Sequence, residues 1–148
     1  MKEEFESINI LMADDDADDR MLMKEALEEN KLMNKLSFVE DGAELLDYLY
    51  KKGKFVKQET DRPGLILLDL NMPRVDGREA LRLIKSDPTL RRIPVIVLTT
   101  STSEDDISAS YDLGVNSYIS KPAKFTDLVR VAREIGYYWF RTVELPKT

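Results

Sequence analysis

Five side chains able to bind a metal ion or a phosphate stand at the ends of short apolar runs. Asp14 and Asp15 follow the run INILMA, Asp69 follows LILL, Thr99 ends PVIVLT, and Lys121 follows SYIS. Short aliphatic runs are typical of strands buried in a parallel sheet, whose carboxyl ends lie along one edge. We therefore expect the carboxylates, the hydroxyl and the ammonium to converge on one shallow site.

This set of side chains favours a divalent cation and phosphoryl transfer. Clustered carboxylates repel one another unless a cation lies among them, and Mg²⁺ needs few protein ligands because it keeps several waters. Asp69 would act as the nucleophile and form an acyl phosphate, while Thr99 and Lys121 would contact the other phosphoryl oxygens. The expected magnesium ligands are Asp14 (through water), Asp15, Asp69 and the backbone carbonyl of Asn71. No other cofactor is expected.

The composition excludes several other kinds of chemistry. The 148 residues include no Cys and no His, which rules out disulfides, thiolate sites and mechanisms that depend on an imidazole. The net charge of −6 disfavours broad binding to nucleic acid or to anionic membranes. No apolar stretch approaches the ~20 residues that a membrane span needs, and the acidic start MKEEFESI is unlike a signal peptide. We therefore expect a cytoplasmic chain.

The apolar pattern predicts five strand–helix pairs, which is typical of an α/β fold with a doubly wound, five-stranded parallel sheet of the flavodoxin-like kind. The predicted strands are 8–13, 35–40, 65–68, 94–99 and 117–120, and the predicted helices are 21–30, 43–52, 77–86, 104–113 and 125–143. Residues 53–63 are predicted to be a loop. We expect residues 1–7 to be a flexible lead and residues 8–148 to be one domain, with an extended last helix and no output domain.

Helical periodicity predicts which side chains face the core. The predicted inward residues are Leu22, Met23, Ala26 and Leu27 in the first helix, Leu45, Leu46, Leu49 and Tyr50 in the second, Ala80, Leu81, Leu83 and Ile84 in the third, and Phe125, Leu128, Val129, Ala132 and Ile135 in the last. Ser103 and Gly114 are expected to cap the fourth helix. The aromatic residues 137–140 either cover the core or form an exposed interface, and we favour the interface.

At these motifs the sequence resembles the receiver domain of two-component response regulators. The resemblance rests on DDD after the first strand, LLDLNMPRVDG around the third, PVIVLTT at the fourth and SYISKPA at the fifth, and it spans roughly residues 8–135. The spacings of 30 and 52 residues from Asp69 to Thr99 and Lys121 also match the family's pattern. The resemblance implies a (βα)5 receiver fold with Asp69 as the phosphoacceptor, Asp14 and Asp15 as its acidic pocket, and Lys121 as the family's lysine.

The resemblance also implies a switch and a partner. Thr99 would be the switch hydroxyl, Tyr118 the switch aromatic, and the bond before Pro122 a cis peptide. The tail IGYYWFRTVELP and the long stretch YLYKKGKFVKQETDRPG resemble the small stand-alone regulators that are paired with bacterial phytochrome-type histidine kinases. Since the chain has no His, a separate histidine kinase must supply the phosphoryl group.

Phosphorylation would add about −1.5 to −2 charge and would bias the face formed by the fourth helix, the fifth strand and the fifth helix between two packings. The signal would leave through a partner protein or through a change of oligomer, such as a homodimer formed by this face and the last helix. The chain would not be an enzyme beyond catalysing its own phosphorylation and dephosphorylation.

Two alternatives remain open from the residues. The first is a Mg²⁺-dependent phosphatase with an aspartyl-phosphate intermediate, of the haloacid dehalogenase type. That family uses an Asp two residues after its nucleophile as acid and base, whereas this chain has Asn71 there. The second is a receiver-like docking module that is never phosphorylated, and the complete set of site residues argues against it.

Overall fold

Five short strands form one parallel sheet in the computed structural model of the chain, which describes residues 8–32 and 34–146. The strands are β1 (Ile10–Ala13), β2 (Leu36–Val39), β3 (Leu65–Leu68), β4 (Val95–Thr99) and β5 (Ser117–Ser120). They lie in the order β2-β1-β3-β4-β5, with β3 at the centre. The predicted α/β fold with a doubly wound, five-stranded parallel sheet is confirmed.

Helices cover both faces of this sheet. They are α1 (Ala17–Glu29), α2 (Gly42–Tyr50), α3 (Gly77–Ser86), α4 (Glu104–Leu113) and α5 (Phe125–Tyr137), and a π-helical turn over Tyr138–Thr142 continues α5. Alternate strand residues point to opposite faces, so Leu11 joins a core with α2 and α3, whereas Ile10 and Met12 join a core with α1 and α5. Because β1, β3 and β4 are buried on both faces, they read as unbroken apolar runs.

Most predicted bounds agree with the structure, but α1 begins earlier than the predicted start at Met21. The Asp16 carboxylate caps this helix by accepting hydrogen bonds from the amides of Asp18 and Asp19. This cap and the acidic first turn stabilise the helix start although it has no apolar face there. As a result Asp19 lies in the first turn of α1, beside the end of β1. The bounds of β3, β5 and α3 and both caps of α4 are confirmed.

Three residues predicted to face inward are exposed instead: Leu22, Tyr50 and Phe125. A helix buries only an arc of its surface, so the neighbouring elements decide the residues at the border of that arc. Helix α2 buries Tyr48 in place of Tyr50, and the Tyr48 ring meets Phe55 edge to face with centroids 5.1 Å apart. Phe55 belongs to a 3-10 turn (Gly53–Phe55) within the stretch that was predicted to be a loop.

The aromatic residues after α5 divide between the core and the surface. Phe140 is fully buried and Trp139 packs against the same core, whereas Tyr137 is 48% exposed and Tyr138 is 53% exposed. Successive residues of a helical turn point in different directions, so four adjacent aromatic residues cannot all face the core. The core interpretation therefore holds for Phe140 and Trp139, whereas an interface formed by the exposed Tyr137 and Tyr138 stays a prediction.

Three further expectations can be compared with the structure. In the described part of the chain, no helix is both long and apolar enough to cross a bilayer. The lead expected at residues 1–7 lies outside the described residues, so the predicted domain division stays a prediction. The peptide bond before Pro122 is trans, because the described residues contain no cis peptide, and the expectation of a cis bond is wrong. The two isomers of such a bond differ by only about 0.5–1 kcal/mol, so local packing decides between them.

Replacing Phe140 by Ala tests the role of the aromatic run in the core. We expect Phe140→Ala to lower the free energy of unfolding by about 3–5 kcal/mol, because the ring is fully buried. Tyr138→Ala is the matched control and should change it by no more than about 1.5 kcal/mol, since that ring is exposed and meets the Trp139 ring only edge to face. Urea denaturation measures both values, and equal losses in the two variants would contradict this division.

Candidate functional site

Neighbouring strands bring the predicted site residues to one edge of the sheet. Ala13 of β1 pairs with Leu68 of β3, and the Asp69 amide donates a hydrogen bond to the Ala13 carbonyl at 3.0 Å. On the other side, Thr99 of β4 pairs with Ser120, and the Lys121 amide donates to the Thr99 carbonyl at 2.8 Å. The hydrogen bonds between neighbouring strands therefore fix the positions of the polar residues that follow each strand.

The Asp69 carboxylate is held from both sides and is nearly buried. Its Oδ1 accepts hydrogen bonds from the Thr99 hydroxyl at 2.7 Å and from the Asn71 amide at 3.1 Å. Its Oδ2 accepts one from the Lys121 ammonium at 2.9 Å. These three donors fix the orientation of the carboxylate, which is what a nucleophile that must attack in line requires.

Lys121 is the cation that holds the carboxylates together. Its Nζ lies 2.7 Å from Asp19, 2.8 Å from Asp14 and 2.9 Å from Asp69. Burial lowers the pKa of Lys121, but the hydrogen bonds with these three carboxylates outweigh it, so the pKa is raised. The side chain therefore remains an ammonium at any ordinary pH.

The sequence analysis did not identify Asp19 as a partner of Lys121. A partial signal was present, because a helix capped by Asp16 places Asp19 in its first turn, close to the end of β1, although the sequence does not reveal its partner. The later predicted start of the helix concealed it. Asp19 is only partly buried, so it carries a fourth carboxylate to the rim of the site.

Asp14 is a buried carboxylate whose hydrogen bonds and neighbouring positive charge only partly offset the cost of burying its own charge. It is 1% exposed, and burial raises its pKa, although Lys121 and the Asp16 amide partly lower it. Carboxylate oxygens of Asp14, Asp15 and Asp69 all lie within 4.8 Å of one another. Asp15 is exposed, which leaves a side open to water. An all-oxygen donor set with water access fits a hard divalent cation such as Mg²⁺ or Mn²⁺.

Close packing of α3 fixes the loop that follows Asp69. A Cβ on Gly77 would lie 2.2 Å from the Asp69 carbonyl oxygen and 2.6 Å from the Leu70 Cα, so only glycine fits there. The Gly77 amide donates a hydrogen bond to the Leu70 carbonyl at 2.9 Å. Gly77 thus brings the start of α3 against the candidate nucleophile.

Tyr118, the predicted switch aromatic, is partly buried and packs against the core that contains α2 and α3. Its hydroxyl donates a hydrogen bond to the Ser101 carbonyl at 3.0 Å, and its amide donates to the Tyr111 hydroxyl at 3.2 Å. Tyr118 therefore contacts both the loop after Thr99 and helix α4. Its role as a switch stays a prediction, as does metal ligation by the Asn71 carbonyl.

A second polar cluster, which the sequence did not predict, lies between α3 and α4. The Arg78 guanidinium binds both oxygens of Asp106, with Nε–Oδ1 and Nη2–Oδ2 distances of 2.6 and 2.7 Å. Ser101 donates to the same carboxylate at 2.6 Å. Arg78 and then Ser101 hold the pKa of Asp106 down at about 2. No local pattern could predict this pair, because its members lie 28 residues apart on different helices.

Comparisons with known proteins agree with this geometry. The family model of the response regulator receiver domain matches residues 10–133. Response regulator Rcp1 of Synechocystis sp. is 43% identical over 137 residues, which cover 93% of this chain and 92% of that protein.

Two solved structures are also similar to the chain. The structure of the phosphorylated cyanobacterial phytochrome response regulator RcpA has a TM-score of 0.87 and 46% identity, over 95% of this chain and 99% of that one. The structure of the Mn²⁺-bound form of response regulator Rcp1 has a TM-score of 0.86 and 42% identity, over 94% of this chain and 99% of that one. Since the family model covers far more than half of the sequence, the chain belongs to the response regulator receiver-domain family and is a response regulator that signals through phosphorylation.

Proposed function

We propose that this response regulator accepts a phosphoryl group on Asp69, with Mg²⁺ bound by Asp14, Asp15, Asp69 and the backbone carbonyl of Asn71. The observation that carries the proposal is the fixed Asp69 carboxylate, which lies between the Thr99 hydroxyl and the Lys121 ammonium and beside two further carboxylates. Bound Mg²⁺ would supply positive charge against the phosphoryl oxygens.

The residues around Asp69 suit the transfer of a phosphoryl group from a phosphohistidine to its carboxylate. An oxygen of its carboxylate attacks the phosphorus of a phosphohistidine, and an O–P bond forms as the donor's P–N bond breaks. The electron pair leaves on the imidazole nitrogen, which takes up a proton. Lys121, which stays charged, and the Thr99 hydroxyl would then donate to the phosphoryl oxygens in place of the carboxylate.

The change at Thr99 would reach the face formed by α4, β5 and α5. Thr99 is two residues from Ser101, whose carbonyl accepts the Tyr118 hydroxyl, so a shift of the loop disturbs the Tyr118 contact. Helix α4 fully buries one side chain, Ser110, and is therefore weakly anchored. A weakly anchored helix can adopt two packed positions, and a few hydrogen bonds are enough to shift the equilibrium between them.

The proposed phosphodonor is a histidine kinase of the phytochrome type. Similarity to RcpA, which is named a phytochrome response regulator, supports this pairing.

We also propose that the chain acts on no substrate beyond its own Asp69, and that it binds neither nucleic acid nor membranes. Its location in the cytoplasm stays a prediction. Asn71 continues to disfavour the phosphatase alternative, because that reaction needs a carboxylate at its position.

A homodimer through the α4-β5-α5 face and the end of α5 is the proposed output. Aromatic rings that support it are exposed on these elements: Tyr111, Phe125, Tyr137 and Tyr138. Exposed apolar surface of this kind commonly marks an interface. Phosphorylation would alter the face and thereby the strength of self-association.

Labelling with a small phosphodonor and Mg²⁺ tests the phosphoacceptor. We expect wild-type protein and Asp18→Asn, which removes a nearby exposed charge, to gain one phosphoryl group in intact-mass spectra. Asp69→Asn should gain none, since an amide cannot form the acyl phosphate. Labelling of Asp69→Asn to the wild-type level would refute the assignment. Substituting phosphorylated histidine kinases for the donor tests the partner, and a phytochrome-type kinase should transfer fastest.

Magnesium titration tests the metal site. Mg²⁺ should raise the thermal midpoint of the wild type, because a ligand that binds only the folded state stabilises it by about 2.7 kcal/mol at a hundred times its Kd. Asp15→Asn should weaken the affinity by about tenfold or more, since even changes behind a metal ligand act on that scale. Asp18→Asn has the same charge change and should bind Mg²⁺ as the wild type does. Equal affinities in both variants would count against Asp15 as a ligand.

Sedimentation velocity tests the dimer. We expect the wild type to self-associate more strongly with beryllofluoride, a phosphoryl mimic, than without it. The double variant Tyr137→Glu/Tyr138→Glu should stay monomeric, because charges would replace the exposed rings. Val56→Glu, at an exposed apolar residue of another surface, is the control. A strictly monomeric wild type under both conditions would rule out the homodimer.

A further inference from the structure

A chain of polar contacts joins the loop after β3 to the loop after β4, and Arg78 lies at its centre. The guanidinium of Arg78 is bound by both oxygens of Asp106 on α4. The Asp106 side chain is 17% exposed and the Arg78 side chain 41% exposed, so this ion pair is partly shielded from water. A bidentate pair of this geometry fixes the relative orientation of the guanidinium and the carboxylate as well as the distance between them.

The inner end of this chain touches the phosphoacceptor loop. The Arg78 guanidinium lies 3.4 and 3.5 Å from Oδ1 of Asn71, and its Nη1 lies 3.4 Å from the Leu70 carbonyl. The amide of Asn71 in turn donates to the Asp69 carboxylate. Arg78 therefore contacts the Asn71 side chain at the outer limit of hydrogen-bond distance, while its Nη1 also donates to Asp76 at 3.1 Å.

The outer end touches the loop that carries the switch hydroxyl. Ser101, two residues after Thr99, donates its hydroxyl to Asp106 at 2.6 Å. The Ser101 carbonyl accepts the Tyr118 hydroxyl at 3.0 Å. Asp106 thus ties the loop after β4 to the same guanidinium that holds Asn71.

We propose that Arg78 is a positioning residue that lengthens the lifetime of the acyl phosphate on Asp69. In the observed arrangement the Asn71 amide oxygen and the Ser101 hydroxyl are both turned to the Arg78–Asp106 pair. These contacts restrict the orientation of both groups, so that turning either oxygen toward a water molecule at the phosphorus requires that its contact be broken. The inference rests on the proposed function, because it concerns the loss of a phosphoryl group from Asp69.

The reaction that Arg78 would restrain is hydrolysis. A water oxygen attacks the phosphorus, the bond from phosphorus to the Asp69 oxygen breaks, and its electron pair returns to the carboxylate. The proton that the water loses passes to the released phosphate. Releasing Asn71 and Ser101 from the pair would let their oxygens turn toward this water, accept its hydrogen bonds and so speed the step.

The experiment compares two arginines on the same helix. Wild type, Arg78→Gln and Arg82→Gln are labelled with a small phosphodonor and Mg²⁺, the donor is removed, and the loss of the phosphoryl group is followed by intact mass. Arg82 lies one turn further along α3 and pairs only with exposed Glu79 among the contacts of its side chain in the described part of the chain. It is therefore a control for charge and helix position.

We expect the phosphoryl group to decay about three- to tenfold faster in Arg78→Gln, the change that losing an ordinary hydrogen bond produces. Arg82→Gln should decay like the wild type. Arg78→Lys should recover little of the lifetime, because an ammonium lacks the planar fork. A lifetime in Arg78→Gln equal to that of Arg82→Gln would overturn the inference.

Asp106→Asn provides a second test if Arg78→Gln folds poorly. It keeps the size of the side chain but removes the charge of one of the two carboxylates that bind Arg78, the other being Asp76, and it should also shorten the lifetime. The double variant should decay no faster than the faster single variant, since both changes break one pair. An unchanged lifetime in Asp106→Asn would likewise refute the inference. If the wild type takes no label, the proposed function itself falls, which is distinguishable from a normal lifetime in the variants.

Discussion

One ammonium among several carboxylates is the interaction on which this site depends. Lys121 lies within 2.9 Å of Asp14, Asp19 and Asp69, yet a single positive charge cannot balance them together with Asp15. The remaining negative charge is stabilised poorly, because Asp14 has almost no contact with water. The site thus fits a divalent cation, and such a cation would favour the proposed transfer of a phosphoryl group to Asp69.

The rest of the fold holds these charges where they would otherwise repel one another. The aliphatic side chains of β1, β3 and β4 are buried on both faces, so the strand ends cannot move apart without exposing the core. Gly77 lets α3 approach within contact distance of the backbone at Asp69. Hydrophobic burial on both sides of the sheet therefore offsets the repulsion between the carboxylates at its edge.

Two routes lead outward from Asp69, and they meet at α4. One runs through Thr99 and the following loop to Ser101 and Tyr118, and the other runs through Asn71 and Arg78 to Asp106. Because α4 contributes few buried side chains, these polar contacts determine much of its position. Phosphorylation at the proposed acceptor, Asp69, would then move a surface without disturbing either core, which is what signalling through a small domain requires.

The sequence by itself determined the fold class, the strand ends and the residues that meet there, since buried strands require aliphatic runs and parallel strands end at one edge. It also predicted both caps of α4. Only the tertiary structure decided that Asp19 binds Lys121, that Arg78 joins Asp106, and that Phe140 is buried while Tyr137 and Tyr138 are exposed. Local periodicity limits which face of a helix is buried, but side-chain partners depend on how distant elements are placed against one another, and no local pattern encodes that.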